Sequence, residues 1–453
     1  MKRVWDLDSN KLAYITTSII FLTTLGYLSF GNIKAVILGY PIIFTLAWLY
    51  NRIVATEDSK WVIYLILLLP TIFPLFKLHF TVGFSIYFVV GITLLYSHTS
   101  SVKLVIFTFV YLLGTLLNTL YDSTPIVSPD AVRYFRRVSE DFPNLISYFY
   151  HLVRLTSDSI IEVNNVFFTP SSVYDTFPIL YLPIYKSFEL GSPLFILVLN
   201  TILWISTAFM MRDMTNKYLS RHIQASGDIV FYLLMISPTA MYYSSSFLKD
   251  ITAVFLVVLS LRLYLEKRYL LFVVVIVFST TIRLYSFAIT GIYFGVLTWT
   301  PHILLIGIGI STIFMLWFTK EVLTIFNTIL MVGYFFISPN PFELQNWMNI
   351  EATPRILEGL MNGVFLTISV ILGLGKRTDL TSYFIISLGL IVYGLIMSTI
   401  GFNWTVNFLS EAYNLGTLGE HIIRKKLPVV PLIAIWISFT YTNLNIPQIK
   451  FKI

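Results

Sequence analysis

The sequence predicts an all-α fold, a polytopic transmembrane helical bundle of about 10–14 spans with short amphipathic helices in an extracytoplasmic loop. Three observations carry this. Hydrophobic residues make up 57% of the 453 and charged residues only 12%, against about 25% charged in soluble domains. The apolar residues stand in continuous runs long enough to cross a bilayer as helices, and not in the ten-residue alternations of a transmembrane barrel. The polar residues, in turn, gather in a few stretches between the runs.

In chain order the candidate spans are Lys11–Phe30, Ile33–Tyr50, Trp61–Phe76, Phe80–Tyr96, Val102–Tyr121, Pro193–Met211, Ile229–Phe247, Ile251–Leu265, Tyr269–Ile282, Tyr285–Trp299, Ile303–Phe318, Leu357–Leu374, Thr381–Thr399 and Leu427–Phe439. Several fall short of the roughly 20 residues of a full crossing, so adjacent short pairs are candidates for broken or re-entrant helices. The first run is long enough to span and lacks a small-residue cleavage site, so no cleavable leader is expected.

With the N-terminus inside, the short inner turns carry Arg52, Lys60, Lys103, Arg212, Lys217, Arg221, Lys267, Arg268, Lys376 and Arg377, as the positive-inside rule requires. The Arg424-Lys425-Lys426 run is the exception, because this map puts it outside. The net charge of +7 is assigned to these membrane-flanking residues and to anionic lipid headgroups, and no nucleic-acid partner is expected. With no cysteine in the chain, disulfides, thiolate metal sites and cysteine nucleophiles are excluded. The domain reading is residues 1–121 as N-terminal transmembrane helices, 122–191 as an extracytoplasmic loop, and 192–453 as C-terminal transmembrane helices with smaller outer loops near 338–356 and 401–426. Multi-pass insertion in the inner (plasma) membrane with both termini cytoplasmic follows from the same map.

In the 122–191 loop, Ser128-Pro129 supplies a cap and a first-turn proline. Asp130, Arg133 and Arg137 then fall at helical spacing on one face, with Val132, Phe135 and Val138 turned elsewhere. Residues 145–155 read as an amphipathic, aromatic-rich helix at headgroup level.

Ionisable groups beside a membrane need a partner, a wet cavity or a function. Four places qualify. The first holds Asp122, Asp130, Arg133, Arg136, Arg137, Glu140 and Asp141, where a carboxylate serves as a general base and a guanidinium grips a diphosphate through paired hydrogen bonds. The plainer account is a solvated helix with internal ion pairs. The second runs from Ser237-Pro238 through Tyr242-Tyr243-Ser244-Ser245-Ser246 to Lys249-Asp250. Proline inside an apolar run kinks the helix and frees a carbonyl, and the run of hydroxyls followed by Lys249-Asp250 at the outer mouth makes a polar lining. Ordinary packing with a charged helix cap is its alternative. The third is Arg283 at the outer end of a span, with snorkelling as the alternative. Arg262, near the inner end, reads as an anchor. The fourth, Glu411, Glu420, His421 and Arg424, matches no metal spacing, and no metal or other cofactor is expected. Nucleotide-binding and hydrolase motifs are absent from the sequence.

The many short aromatic-rich spans, the outer loop with Asp130 and Tyr134, the Ser-Pro…Tyr-Tyr-Ser-Ser-Ser-Phe-Leu-Lys249-Asp250 stretch and the following Ile-Arg283-Leu-Tyr resemble the Wzy-type O-antigen polymerases and EpsG-like membrane proteins. They resemble the GT-C superfamily more loosely. The resemblance, carried by residues 115–290, implies a glycosyltransferase-type enzyme of cell-envelope polysaccharide (O-antigen, capsule or exopolysaccharide) synthesis. Its partner is a polyprenyl-diphosphate-linked glycan within the membrane lipid. It makes Asp130 and Asp250 the candidate bases, and Arg133, Arg136, Arg137, Lys249, Arg283 and Tyr134 the candidate substrate contacts. A lipid-phosphosugar glycosyltransferase, or a transporter or flippase for a lipid-linked glycan, is the alternative.

The topology is testable directly. A cysteine replacing Ser139, unique in a chain without cysteine, is expected to react with an impermeant maleimide in intact cells. Labelling only after permeabilisation would reverse the map.

Overall fold

The computed structural model describes residues 21, 24, 32–121, 126, 128–151, 176–283, 285–319, 322–338, 341–342, 344–348, 352–374, 380–402 and 424–443. The expectations for Lys11–Phe30, for residues 152–155, and for Glu411, Glu420 and His421 lie outside them apart from residues 21 and 24. Every regular element among the described residues is helical, and the chain is an all-α helical bundle. Among the described residues, seven helices are long and apolar enough to cross a membrane: Ala35–Val54, Glu57–Lys77, Phe80–His98, Val102–Leu120, Pro193–Arg221, Thr353–Leu372 and Leu380–Ile400. Shorter apolar helices accompany them at Tyr269–Ile282, Ser286–Leu297, Pro301–Trp317 and Ile325–Ile337.

The chain divides into two compact units. The first comprises residues 1–209, 241–252 and 277–284. It opens with α1 (Ala35–Val54), α2 (Val62–Leu78), α3 (Phe80–His98) and α4 (Val102–Tyr121), each packed on the next. Connections this short force consecutive helices antiparallel. Between α4 and α7 (Ile196–Lys217) stand α5 (Pro129–Ser139) and α6 (Leu182–Phe188), which pack together, and residues 145–151, within the expected amphipathic stretch, are helical as well. As the sequence predicts, α5 is capped by Ser128, whose Oγ accepts from the Ala131 N–H at 3.2 Å, with Pro129 in its first turn. Ala131, Tyr134 and Val138 point inward and Val132 is exposed, because the aromatic ring covers more apolar area than a valine and carries the docking.

The second unit comprises residues 210–240, 253–276 and 285–453. The predicted span at 229–247 is two helices, α8 (Gly227–Met235) and α9 (Pro238–Ser245). Pro238 supplies no N–H and biases Ser237 away from helical backbone, so the helix stops and restarts. Then come α10 (Asp250–Leu265), α11 (Tyr269–Ile282), α12 (Ser286–Leu297) and α13 (Pro301–Thr319). At 14 and 12 residues, α11 and α12 reach only about 21 and 18 Å at 1.5 Å per residue, less than a bilayer core of roughly 30 Å. Next is α14 (Val322–Ile337), a helix the span map did not include. It is followed by α15 (Leu344–Met348), α16 (Ala352–Leu374), α17 (Leu380–Phe402) and α18 (Val430–Asn443). Within the unit α17 packs against α12, α13, α14, α16 and α18, while α8 packs on α18.

The α14–α16 contact is backbone-close. A Cβ on Gly359 would stand 2.6 Å from the Ile337 carbonyl oxygen, and one on Gly363 would stand 2.7 Å from Ile337 Cγ2. Glycines four apart let helices approach in this way. Gly359→Val is therefore expected to destabilise the protein by about 1–3 kcal/mol through overpacking, read as a lowered unfolding temperature in detergent. Gly309→Val, where a Cβ meets nothing within 4 Å, serves as the control.

Candidate functional site

The residues singled out at 128–139, 242–250 and 281–283 converge in the first unit around the turn that joins α9 to α10. A helix end in an apolar setting leaves polar groups that require partners, and here side chains from several parts of the chain gather at it. Asn200 on α7 donates through Nδ2 to the carbonyls of Ser244 and Ser246, both at 3.2 Å. Tyr111 on α4 shares a 2.6 Å hydrogen bond with Ser244 Oγ. Asn118, two turns on, donates to Ser245 Oγ at 2.5 Å. Tyr181, just ahead of α6, donates to Asn200 Oδ1 at 3.2 Å and meets Thr252 Oγ1 at 2.5 Å. Ser245 and Ser246 turn their own hydroxyls back to the Tyr242 carbonyl.

Directly after this turn lies an ion pair between Asp250 and Arg283. The Asp250 side chain is fully buried and that of Arg283 is 9% exposed. Asp250 is the first residue of α10, where the positive end of the helix dipole favours a carboxylate. Arg283 follows the last residue of α11, where the negative end favours a cation, and its N–H donates to the Ser279 carbonyl at 2.9 Å. Each charge is thus steadied by its own helix as well as by its partner.

Lys249, one residue before Asp250, places its ammonium 5.8 Å from the centroid of the Tyr134 ring, within cation–π range. Tyr134 is itself buried, edge-on to Phe177 at 4.8 Å. Its neighbour Phe135 packs on Phe247 at 5.4 Å. Aromatic contacts therefore dock α5 on the turn, and Tyr134 acts as a platform beneath Lys249.

The remaining predicted residues sort by position on α5. Asp130, in its first turn, is half-buried and Arg133 is exposed. Arg136 pairs with Asp141 at 3.2 Å and Glu140 at 3.7 Å, while Arg137 pairs with Asp141 at 3.2 Å and lies over the Phe142 ring. Both arginines are thus engaged at the C-terminal end of α5. Lys186 closes the same end by donating to the Ser139 carbonyl at 2.7 Å. Burial pushes its ammonium below the usual lysine range, Lys34 adds repulsion, and Asp141 opposes the fall. Arg262 pairs with Glu266 at 2.7 Å.

Sequence reasoning missed Tyr111, Asn118, Tyr181, Asn200 and Thr252. The available signal was an asparagine inside each of two long apolar runs, since an amide at that depth demands partners. It also missed Glu358 on α16 in the second unit. This carboxylate accepts from Ser237 Oγ at 2.5 Å, the Thr239 N–H at 3.1 Å and the Thr239 hydroxyl. It thereby caps the start of α9 from another helix. Among the described residues no three acidic or histidine side chains gather as a metal site.

No protein-family profile matches the chain, and no curated protein or solved structure matches it significantly.

The pair can be tested as a structural element. Asp250→Ala leaves Arg283 buried without its carboxylate, so a loss of about 3–5 kcal/mol is expected. An Asp250→Leu/Arg283→Met double variant is expected to recover most of it. Thermal unfolding of the purified proteins in detergent reads both, and a double variant no better than the single one would show that the pair does not act as a unit.

Proposed function

We propose that this chain is an inner-membrane polymerase or transferase that acts on polyprenyl-diphosphate-linked oligosaccharides in envelope polysaccharide synthesis, with both termini cytoplasmic. The observation that carries the reading is Lys249, set over the Tyr134 ring one residue before the buried Asp250–Arg283 pair. A leaving diphosphate develops negative charge, and a preorganised cation at that point is worth more than a mobile one because it need not reorganise during the reaction. Arg133, exposed on α5, adds a guanidinium suited to paired contacts with phosphate.

In the reaction, an acceptor hydroxyl oxygen attacks the anomeric carbon of the donor glycan. A glycosidic bond forms, and the bond from that carbon to the diphosphate oxygen breaks. Polyprenyl diphosphate leaves with the electron pair, and the hydroxyl proton passes to a carboxylate. Lys249 and Arg133 receive the diphosphate.

A second reading, movement of a lipid-linked glycan across the membrane, is favoured by one observation. The helix break at Ser237–Pro238 faces the Glu358 carboxylate, and broken helices beside intramembrane acids are what secondary transporters use.

The deciding experiment is the envelope-polysaccharide banding pattern of the native host with this gene deleted, then complemented with wild type, Lys249→Ala or Arg283→Lys. Loss of the long-chain ladder with a single repeat unit still attached supports the polymerase. Lys249→Ala at normal membrane levels is expected to lower polymerisation by about 10²-fold. An unchanged ladder in the deletion strain overturns the polymerase, and loss of even the single repeat unit moves the assignment to transport.

A further inference from the structure

The second unit holds a cavity of about 210 Å³ between α8, α16 and α18, well away in sequence from the ion pair. Its walls are apolar, with Leu233, Met361 and Ile433 among them, and its polar groups are Ser237, Glu358 and Asn362. Glu358 and Asn362 are four residues apart on α16 and so share one face. The Asn362 side chain is 5% exposed and has no hydrogen-bond partner among the described residues. A buried amide with nothing to bind costs free energy unless something else fills its needs. Glu358 already accepts three hydrogen bonds of the roughly four a carboxylate can take.

The charge at this end decides what fits. The Lys426 ammonium, 1% exposed, donates to the carbonyls of Phe336 and Ser338 and lies within electrostatic reach of Glu358. The half-buried Glu358 carboxylate and the buried Lys426 ammonium together leave the region near neutral. An anionic head would meet Glu358 in the cavity wall, and the positive charge of Lys426 nearby offsets the pull of Glu358 on a cationic one. A hydroxyl can donate to the last open position on Glu358 and accept from the Asn362 amide. The volume is below the roughly 300–1,000 Å³ of drug-sized pockets, which suits a single chain with a small head and excludes an oligosaccharide.

From this geometry we infer a binding site for an uncharged amphiphile, an apolar chain ending in a hydroxyl held by Glu358 and Asn362. It is independent of the diphosphate chemistry assigned to Lys249. A membrane glycerolipid or a free long-chain alcohol would present the same group.

The test uses full-length protein in detergent and an eight-carbon alcohol carrying a diazirine, with mass spectrometry to locate the adducts. Matched probes end in a methyl, a phosphate or an ammonium group. Labelling of the α16 and α18 walls by the alcohol is expected, falling at least tenfold with excess unlabelled octanol on the wild-type protein. Asn362→Leu and the cavity-filling Ala434→Phe are each expected to lower it. Competition by monooctanoylglycerol as well as octanol assigns the site to a single-chain glycerolipid, and competition by octanol alone assigns it to a simple alcohol. Equal labelling by the methyl probe, or labelling that octanol does not reduce, would overturn the site. Preference for the phosphate or ammonium probe would overturn the uncharged head.

Discussion

A carboxylate with no exposed surface is tolerated only where a cation meets it, and in this chain α10 begins on such a carboxylate. Arg283, coming off the end of α11, is what allows Asp250 to stand there. Much of the first unit follows from that pairing. The turn before Asp250 has a fixed exit, so the Ser244 and Ser246 carbonyls stay where Asn200 reaches them. Phe247 stays where Phe135 packs, and through that contact α5 is docked. Lys249 then stands over the face of Tyr134. Removing either charge would strand the other in a low-dielectric interior, where the loss of one partner costs more than the pair contributed.

The same constraint explains how a chain with so few charged residues uses them. Broken and short helices leave unpaired backbone groups, and an apolar setting offers no water to satisfy them. Side chains from elsewhere in the sequence do so instead. Glu358 caps the start of α9, Lys186 closes α5, and Lys426 holds the carbonyls of Phe336 and Ser338 at the end of α14. In each case the charge also has the sign the helix dipole prefers, acid at an N-terminus and base at a C-terminus. What reads as scattered polarity in an apolar sequence is largely a set of helix ends with their partners.

This explains what could be read from the sequence and what could not. Long apolar runs announce themselves, and the Ser128-Pro129 start of α5 is a local signal that needs no tertiary information. Ser237-Pro238 is a local signal too, read as a kink in one span where the chain stops one helix and starts another. The pairing of Asp250 with Arg283 was not readable, because both residues stand out as charges near the membrane but nothing in a 33-residue separation says they meet. Glu358 looked like the first turn of an ordinary span, since its role depends on a helix that begins at Pro238. Tyr134 was named as a site residue through the resemblance, yet its burial was not legible, because helical spacing does not say which face docks. The α14 run, interrupted by Asn327, carries no charge to mark it as an element of its own.

Burial also divides the labour between the two carboxylates that the sequence offered as bases. A general base must come within hydrogen-bond reach of the proton it takes. Asp250 has no exposed surface and is bonded to Arg283, so an acceptor sugar hydroxyl has no path to it in this arrangement. Its contribution under the proposed reaction is to hold Arg283 and, through the chain, Lys249. Asp130 is half-buried in the first turn of α5, one turn before the Tyr134 that supports Lys249. Of the two, it is the carboxylate that can receive a proton from a substrate whose diphosphate rests on that lysine. The division requires that Asp130→Asn spare the fold while removing turnover, and that substitution of Asp250 act on the fold first.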